Sequence, residues 1–450
     1  MTAKDPETLR QQILDLAEQY GELTGTNTSF SPDDPRVSVS GKVVGGPEAR
    51  LMTEAALDLW LTTGRFNDTF EGQLSDTFGL PWARTCNSGS SANLIAFSAL
   101  TSPFAGPRKL EPGDEVITCA TGFPTTVNPS LQTGMVPVFV DVEPETYNID
   151  VSQLEAALSD RTKAIMVAHT LGNPFDLGAV MRFAEAHNLF VIEDCCDALG
   201  STYQGQHVGT FGDLATLSFY PAHHITMGEG GAVLGASPGL RRAVESFRDW
   251  GRDCWCAPGA DNTCGRRFQQ TLGQLPTGYD HKYVYSHLGY NLKITDMQAA
   301  AGVAQMKRLD GFIADRKRNW QTLNTLLADL DEAFVRPKAT ANSDPSWFGY
   351  CLSIRDDRLD RTELLQALNA AGVATRLLFA GNLIRQPYMQ GRAFRTIGDL
   401  TEADRVMTHA FWLGVHPGLR DDHLEYVSRV LHALVHNTPL PKTVPDHVAS

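Results

Sequence analysis

The sequence has no long apolar run, no block of like charges and no repeated or low-complexity segment. No stretch approaches the roughly 18 consecutive apolar residues of a membrane-spanning helix, so we expect no membrane contact. Basic residues are in the minority, with 38 Lys and Arg against 52 Asp and Glu. Because coating nucleic acid requires clustered basic side chains, the net charge of −14 argues against nucleic acid as a partner.

The N-terminal residues are polar and lead into a predicted amphipathic helix at residues 6–22, where a secretory leader would carry an apolar core. We therefore expect a cytoplasmic protein. Thiols stay reduced in that compartment. The eight cysteines are more typical there of metal ligands or buried small side chains than of disulfides.

Short apolar segments alternate with helical patterns from about residue 50 to residue 310. Buried strands are predicted at 114–120, 137–142, 164–169 and 190–193, with a helix at 177–187 between the last two. Strands that alternate with helices need crossover connections, which favour a mainly parallel sheet. The sequence therefore predicts an α/β fold.

The pattern changes after a long predicted helix at about 295–332, where a strand at 346–355 and a helix at 363–371 follow. This change divides the chain into three predicted units. They are an N-terminal helix and extended segment (1–45), a large α/β domain (46–312) and a smaller C-terminal α+β domain (313–450).

Small and polar residues open a predicted helix at 86–93, with the sequence CNSGSSAN. Gly89 and Ser90 lie at its start, where free N–H groups and the positive end of the helix dipole favour a phosphate group. A helix that is only capped by Ser or Asn gives the same pattern. The motif alone leaves both interpretations open.

An acidic residue, Asp194, ends the predicted strand 190–193. Open α/β sheets bind ligands at the carboxyl ends of their strands, and a carboxylate there can keep a pyridinium nitrogen protonated. The alternative is an aspartate that only caps the next turn.

The segment SFYPAHHITMGEGG at 218–231 resembles the active-site segment of the DegT/DnrJ/EryC1/StrS sugar aminotransferases. The segments GYNLKITDMQAA at 289–300 and TCATGFPTTVN at 118–128 match the same family. The resemblance is clear over about 45–310 and looser beyond. It implies fold type I of the pyridoxal-phosphate enzymes, with a large, mainly parallel domain and a smaller C-terminal α+β domain.

One position departs from that family, because His223 stands where the aminotransferases have lysine. An imidazole has no primary amine and cannot hold pyridoxal phosphate covalently, although it can transfer a proton near neutral pH. We therefore expect pyridoxamine 5′-phosphate, bound without a covalent bond.

Four cysteines, Cys196, Cys254, Cys256 and Cys264, have the spacing Cys-x57-Cys-x1-Cys-x7-Cys. Four thiolates suit a [2Fe-2S] cluster or a tetrahedral zinc ion, and the cysteines alone also allow no metal. Together with His223, the spacing resembles the iron–sulfur, pyridoxamine-phosphate 3-dehydratases of the CDP-6-deoxy-4-hexulose type. Those enzymes act in deoxysugar biosynthesis.

The resemblance implies a role for each candidate residue. The implied catalytic residues are His223, Asp197 and Tyr220. Asp197 and Tyr220 are implied to form hydrogen bonds that tune the adduct of cofactor and sugar. The cofactor is implied to contact Gly89, Ser90, Phe123, Asp194, Ser218 and Asn291, with Phe123 stacking on the ring and Asn291 reaching in from the second subunit of a homodimer. Phe123 as a plain core aromatic is the alternative. The cluster ligands are implied to be Cys196, Cys254, Cys256 and Cys264.

The implied reaction removes the C3 hydroxyl of a nucleotide-diphospho-4-keto-6-deoxyhexose, with electrons from a reductase or ferredoxin. A cluster-free 3-dehydratase of the colitose type also carries histidine at this position, but needs no cysteine set. A nucleotide-sugar aminotransferase lacks support because position 223 is not lysine. A zinc-stabilised binding protein without activity has no use for the retained Asp194, Ser218 and Asn291.

Overall fold

A computed structural model describes residues 5–441. The α-helices are α1 (Pro6–Thr24), α2 (Gly46–Leu57), α3 (Arg65–Phe78), α4 (Gly89–Leu100), α5 (Pro124–Gln132), α6 (Leu154–Ala157), α7 (Leu177–Ala186), α8 (Pro238–Arg248), α9 (Asp296–Met306), α10 (Leu309–Leu326), α11 (Arg361–Ala370), α12 (Thr401–His409) and α13 (Asp421–Val435). No helix within residues 5–441 is long and apolar enough to cross a membrane.

The strands are β1 (Trp82–Cys86), β2 (Glu115–Cys119), β3 (Val136–Val140), β4 (Thr162–Ala168), β5 (Phe190–Asp194), β6 (Thr202–Tyr203), β7 (Gln206–His207), β8 (Leu214–Ser218), β9 (Gly231–Gly235), β10 (Phe334–Val335), β11 (Ser343–Asp344), β12 (Gly349–Ile354), β13 (Arg395–Thr396) and β14 (Ala410–Gly414). The large sheet has the order β1-β9-β8-β5-β4-β2-β3-β13. Its strands are almost fully buried, which explains their continuous apolar sequences.

The large sheet is mainly parallel, as the sequence predicts. β9 runs antiparallel to β1 and β8, and the other pairs are parallel. The carboxyl ends of β1, β5 and β8 therefore share one edge of the sheet, where Cys86, Asp194 and Ser218 end their strands. The α/β fold class is confirmed, and this edge is where such sheets bind ligands.

A second hydrophobic core lies in the C-terminal part of the chain, between the sheet β10-β12-β14 and helices α10, α11 and α13. Val37 of the N-terminal segment is buried in the same core and pairs with Val373. The predicted helix 295–332 is two helices, α9 and α10, with the chain turning at Lys307 and Arg308. The predicted boundary at residue 312 falls inside α10, and the division into domains stays a prediction.

Candidate active site

The start of α4 lies close against the end of β8. A Cβ atom placed on Gly89 would lie 2.5 Å from Cβ of Ser218 and 2.9 Å from Sγ of Cys196. The Ser88 hydroxyl caps the helix by accepting a hydrogen bond from the N–H of Ser91 at 3.0 Å. Only glycine fits this close approach. The first N–H groups of α4 have no partner inside the helix, so the helix start is suited to a phosphate group.

Ser218 and Ser90 lie on the two sides of this helix start. Ser218 ends β8 and pairs in register with Gly231, which also pairs with Cys86 of β1. The Ser90 side chain is exposed and its hydroxyl donates to Oγ1 of Thr125 at 3.1 Å. The structure therefore brings the predicted phosphate-binding residues Gly89, Ser90 and Ser218 together at one place.

Asp194 is buried at the end of β5 and held by hydrogen bonds on both oxygens. Its Oδ2 accepts from Nδ2 of Asn93 at 2.8 Å and from Oγ1 of Thr126 at 2.7 Å. Its Oδ1 accepts from the N–H of Cys196 at 3.1 Å. These donors fix the carboxylate behind the start of α4. Asn93 and Thr126 were not predicted as its partners, because each is an ordinary polar residue inside a helix.

His223 lies in the loop between β8 and β9, with its imidazole beside Asp197 and Phe348. Nδ1 of His223 is 3.3 Å from Oδ1 of Asp197, close enough for electrostatic attraction, but its geometry forms no hydrogen bond. The Phe348 ring packs on the imidazole with centroids 5.2 Å apart. The imidazole is therefore held in place mainly by packing against Phe348 and by the nearby carboxylate of Asp197.

Arg316 of α10 fixes the backbone of this loop. Its buried guanidinium donates to the carbonyl oxygens of His223 at 3.0 Å and Ala222 at 3.4 Å, and also to those of Trp347 and Phe348. Burial lowers the pKa of Arg316 to about 10, and the charge of Asp197 opposes that fall. The sequence did not single out Arg316.

The adjacent His224 has a structural place. It is buried, and its Nε2 lies 2.9 Å from the carbonyl oxygen of Ser346. Burial lowers the pKa of His224 well below its usual value, with the charge of Arg316 adding to the effect. A neutral His224 that donates to a carbonyl is anchored away from any substrate.

The remaining candidate residues are more exposed to solvent. Phe123 precedes α5 and is 52% exposed, so it is not a core aromatic, and Tyr220 is exposed to the same extent. Asn291 is exposed and pairs with Asp249, while its Oδ1 accepts from Nζ of Lys293 at 2.9 Å. No hydrogen bond joins Asn291 to Gly89 or Ser218 within residues 5–441, although the carbonyl oxygen of the neighbouring Leu292 accepts from the N–H of Asn87 at 2.8 Å.

Three of the four predicted cluster ligands lie together. Cys254, Cys256 and Cys264 interact, and burial together with Cys256 and Cys264 raises the pKa of Cys254. Sγ of Cys264 is 4.0 Å from Nδ1 of His281, whose Nε2 is bound to Asp253 at 2.6 Å. This cysteine loop is therefore anchored by a buried Asp–His pair.

Cys196 lies apart from the cysteine loop. It is beside Gly89 and Ser218, and burial and Asp194 raise its pKa well above the usual value. Cys254 and Cys256 instead line a cleft of about 580 Å³ outside the edge strand β1, beside Trp60 and Arg242. β9 and β8 separate β1 from β5, which places those two strands about 14 Å apart. The donor set suits an iron–sulfur cluster, but within residues 5–441 the four cysteines do not come together as one group of ligands.

A different group of possible ligands, His169, Glu193 and Cys195, is close-packed and fully buried. Glu193 already accepts from His169 and from the N–H groups of Gly209, Phe211 and Gly212. Its oxygens are satisfied by these donors, which hold β5 to the loop before β8. We read this group as structural.

Comparison with known proteins places these features in context. A family model described as the DegT/DnrJ/EryC1/StrS aminotransferase family matches residues 45–432. The lipopolysaccharide biosynthesis protein RfbH of Salmonella typhimurium is 58% identical over 95% of this chain and 97% of its own. The dTDP-4-dehydro-2,6-dideoxy-D-glucose 3-dehydratase of Saccharopolyspora spinosa is 52% identical over 93% of this chain and 90% of its own.

Among solved structures, the E. coli GDP-4-keto-6-deoxy-D-mannose-3-dehydratase with bound hydrated PLP is similar to this chain. The TM-score is 0.80 and the identity 26%, over 90% of this chain and all of that one.

Proposed function

The chain belongs to the DegT/DnrJ/EryC1/StrS aminotransferase family, and from that membership we propose a 3-dehydratase that depends on pyridoxamine 5′-phosphate and a [2Fe-2S] cluster. Its substrate is a nucleotide-diphospho-4-keto-6-deoxyhexose, in line with the named activity of the 52% identical relative. The observation that carries the proposal is His223, an imidazole with no amine, beside a phosphate cradle and a buried carboxylate.

The cofactor site has the features that a pyridoxamine phosphate needs. The start of α4 with Gly89, Ser90 and Ser218 holds the phosphate, and Asp194 lies where it can pair with the ring nitrogen. When bound, the cofactor supplies an amine for the C4 ketone and an electron sink for loss of the C3 hydroxyl.

His223 moves the proton in this proposal. Its carbonyl is held by Arg316 and its ring by Phe348, so the imidazole stays oriented while its protonation changes. Asp197 at 3.3 Å stabilises the imidazolium after it accepts a proton from the cofactor carbon. Tyr220, in the same loop, lies on the open side and hydrogen-bonds the sugar. Phe123 stacks on the ring.

Replacing the C3 hydroxyl by hydrogen consumes two electrons and two protons and releases water. The side chains of the site transfer protons but not electrons, so a reductase or ferredoxin is the proposed donor and a cluster its relay. The supporting observation is the four-cysteine set with three members in one anchored loop. In a homodimer, Asn291 reaches the phosphate of the second subunit.

A second candidate is the cluster-free 3-dehydratase of the colitose type. It is favoured by the fold similarity to the E. coli GDP-4-keto-6-deoxy-D-mannose-3-dehydratase, at a TM-score of 0.80. Such an enzyme gives no role to Cys254, Cys256 and Cys264. The two candidates therefore differ in the source of the two electrons, which is an external donor acting through the cluster in the first and pyridoxamine phosphate itself in the second.

The test incubates anaerobically purified protein, pyridoxamine phosphate and a CDP- or dTDP-linked 4-keto-6-deoxyhexose with and without a dithionite-reduced viologen. We expect a 3-deoxy-4-keto sugar only with the donor, and no product from His223→Asn under either condition. Formation of the 3-deoxy sugar without the viologen, with one pyridoxamine phosphate converted to pyridoxal phosphate and one ammonia released per sugar, would favour the cluster-free enzyme. Formation of a 4-amino sugar would contradict both dehydratases.

A further inference from the structure

The cysteine loop belongs to a segment with unusually much exposed apolar surface. In residues 250–288 the exposed side chains include Trp255, Phe268, Tyr279, Tyr283, Tyr285 and Leu288. Leu288 is 95% exposed and Phe268 59% exposed. Apolar patches of this kind usually mark a surface that another molecule covers. We call residues 250–291 the aromatic segment.

The two ends of the aromatic segment are paired with each other. Asp249 pairs with Asn291 and Arg252 with Tyr285, both antiparallel, so the two ends of the segment run side by side. The buried Asp253 accepts from His281 and Ser286 and ties them together. The three cysteines of the loop are therefore attached to the same paired base as Asn291.

We propose that the cluster is built between two copies of this chain, with Cys254, Cys256 and Cys264 from one copy and Cys196 from the other. The inference rests on the proposed cluster and says where its ligands come from. Within residues 5–441 of one chain, Cys196 lies beside Gly89 and Ser218, and Cys254 and Cys256 line a cleft beyond β1. Each copy offers the part that the other lacks.

We assign a second copy to this surface because it carries the Cys196 thiolate that the three loop cysteines lack as a fourth ligand. A twofold symmetric pair makes the same contact twice and completes two identical sites, one per chain. Asn291, proposed above to reach the phosphate of the second subunit, lies on the same base as the loop. Asp249, its pairing partner, is five residues from Cys254, a reach of about 17 Å in extended chain. A loop so placed lies near the partner's Cys196, which adjoins the phosphate cradle.

Two variants separate ligation within one chain from ligation between chains. The site variant is Cys196→Ala, and the loop variant is Cys254→Ala with Cys256→Ala. Each is made with its own affinity tag, and the heterodimer is isolated by tandem purification without oxygen. Iron, sulfide, the visible spectrum and the electron paramagnetic resonance signal of the reduced protein are measured.

Shared ligation predicts that both homodimers hold no cluster and that the heterodimer regains about one cluster per dimer, half the wild-type content. One of its two sites then has all four cysteines. Ligation within a chain predicts none in this heterodimer, because each chain lacks a ligand. Cys195→Ser, beside Cys196 but fully buried, is the matched control and keeps its cluster.

A second heterodimer tests the same point by loss of the cluster, whereas the first tests it by restoration of the cluster. Wild type is paired with a chain that carries all three substitutions. Shared ligation predicts no cluster, since each site lacks at least one cysteine, whereas ligation within a chain predicts about one per dimer. The second result, or a wild-type chain that is monomeric with its cluster, overturns the inference. A wild-type dimer without iron instead overturns the proposed function.

Discussion

The guanidinium of Arg316 donates a hydrogen bond to the carbonyl oxygen of His223 at 3.0 Å, across 93 residues of sequence. Arg316 belongs to α10, which packs in the C-terminal core, while His223 lies at the edge of the large sheet. Arg316 in the C-terminal part of the chain therefore fixes the backbone position of His223, the residue that we propose as catalytic. A movement of α10 relative to the sheet would therefore displace the backbone of His223.

His223→Lys should restore a covalent link to pyridoxal phosphate. The lysine amine would lie at the edge of the cradle formed by Gly89 and Ser218, where the cofactor carbon is proposed to be. Borohydride reduction and intact mass should show one added cofactor per chain, which wild type lacks. His224→Lys is the matched control, because position 224 is buried against Ser346. Equal labelling of both variants would contradict the placement of His223 at the cofactor.

Gly89→Ala should weaken cofactor binding. Its Cβ would lie 2.5 Å from Cβ of Ser218, so the start of α4 must shift at a cost of about 1–3 kcal/mol. We expect the dissociation constant of pyridoxamine phosphate, measured by absorbance titration, to rise about 10-fold or more. Gly72→Ala in α3 meets no atom within 4 Å and should leave binding unchanged. Unchanged binding in both variants would disprove the phosphate cradle.

Asp194→Asn should cut turnover about 10- to 100-fold, from the loss of a charge-assisted hydrogen bond of about 1.5–3 kcal/mol. The new amide also places a donor against Asn93, where the carboxylate now accepts. Steady-state product formation with saturating cofactor measures the effect. Asp344→Asn removes an exposed carboxylate bound to Lys317 and should be neutral. A fully active Asp194→Asn would mean that the carboxylate does not serve the ring nitrogen.

His416 should make the protein less stable in acid. Burial lowers the pKa of His416 to about 3, so the folded protein keeps it neutral where the unfolded chain is protonated. The free energy of unfolding therefore decreases as the pH is lowered below about 6.5, by up to about 1.4 kcal/mol per pH unit. Urea unfolding between pH 6.5 and 4.5 should show a smaller pH slope for His416→Gln than for wild type. Parallel slopes would contradict the assignment.

The sequence predicted the sheet, and it placed Gly89 at a helix start and Asp194 at a strand end, because these features rest on local signals. The strands are continuous apolar runs, and Gly89, Asp194 and Ser218 each lie at the end of a strand or the start of a helix. The order of parallel strands then brings those ends to one edge. Periodicity did not show the turn between α9 and α10, since both helices continue the same apolar pattern.

The partners of these residues were not predictable from local sequence. Arg316 is buried and binds carbonyl oxygens, so its sequence neighbourhood resembles that of any helical arginine. Cysteine spacing likewise identifies a set of possible ligands but not the place of each sulfur. Cys196 lies behind the phosphate cradle and the loop cysteines beyond β1, because tertiary packing separates them.

The most direct measurement is the iron, acid-labile sulfide and zinc content of protein purified without oxygen. For a [2Fe-2S] 3-dehydratase we expect about two irons and two sulfides per chain, bound by thiolates, and no zinc. Zinc in a cluster-reconstituted but iron-free sample would mean a structural metal site and no electron relay. A sample without metal that still forms the 3-deoxy sugar would contradict the cluster and identify the cluster-free enzyme.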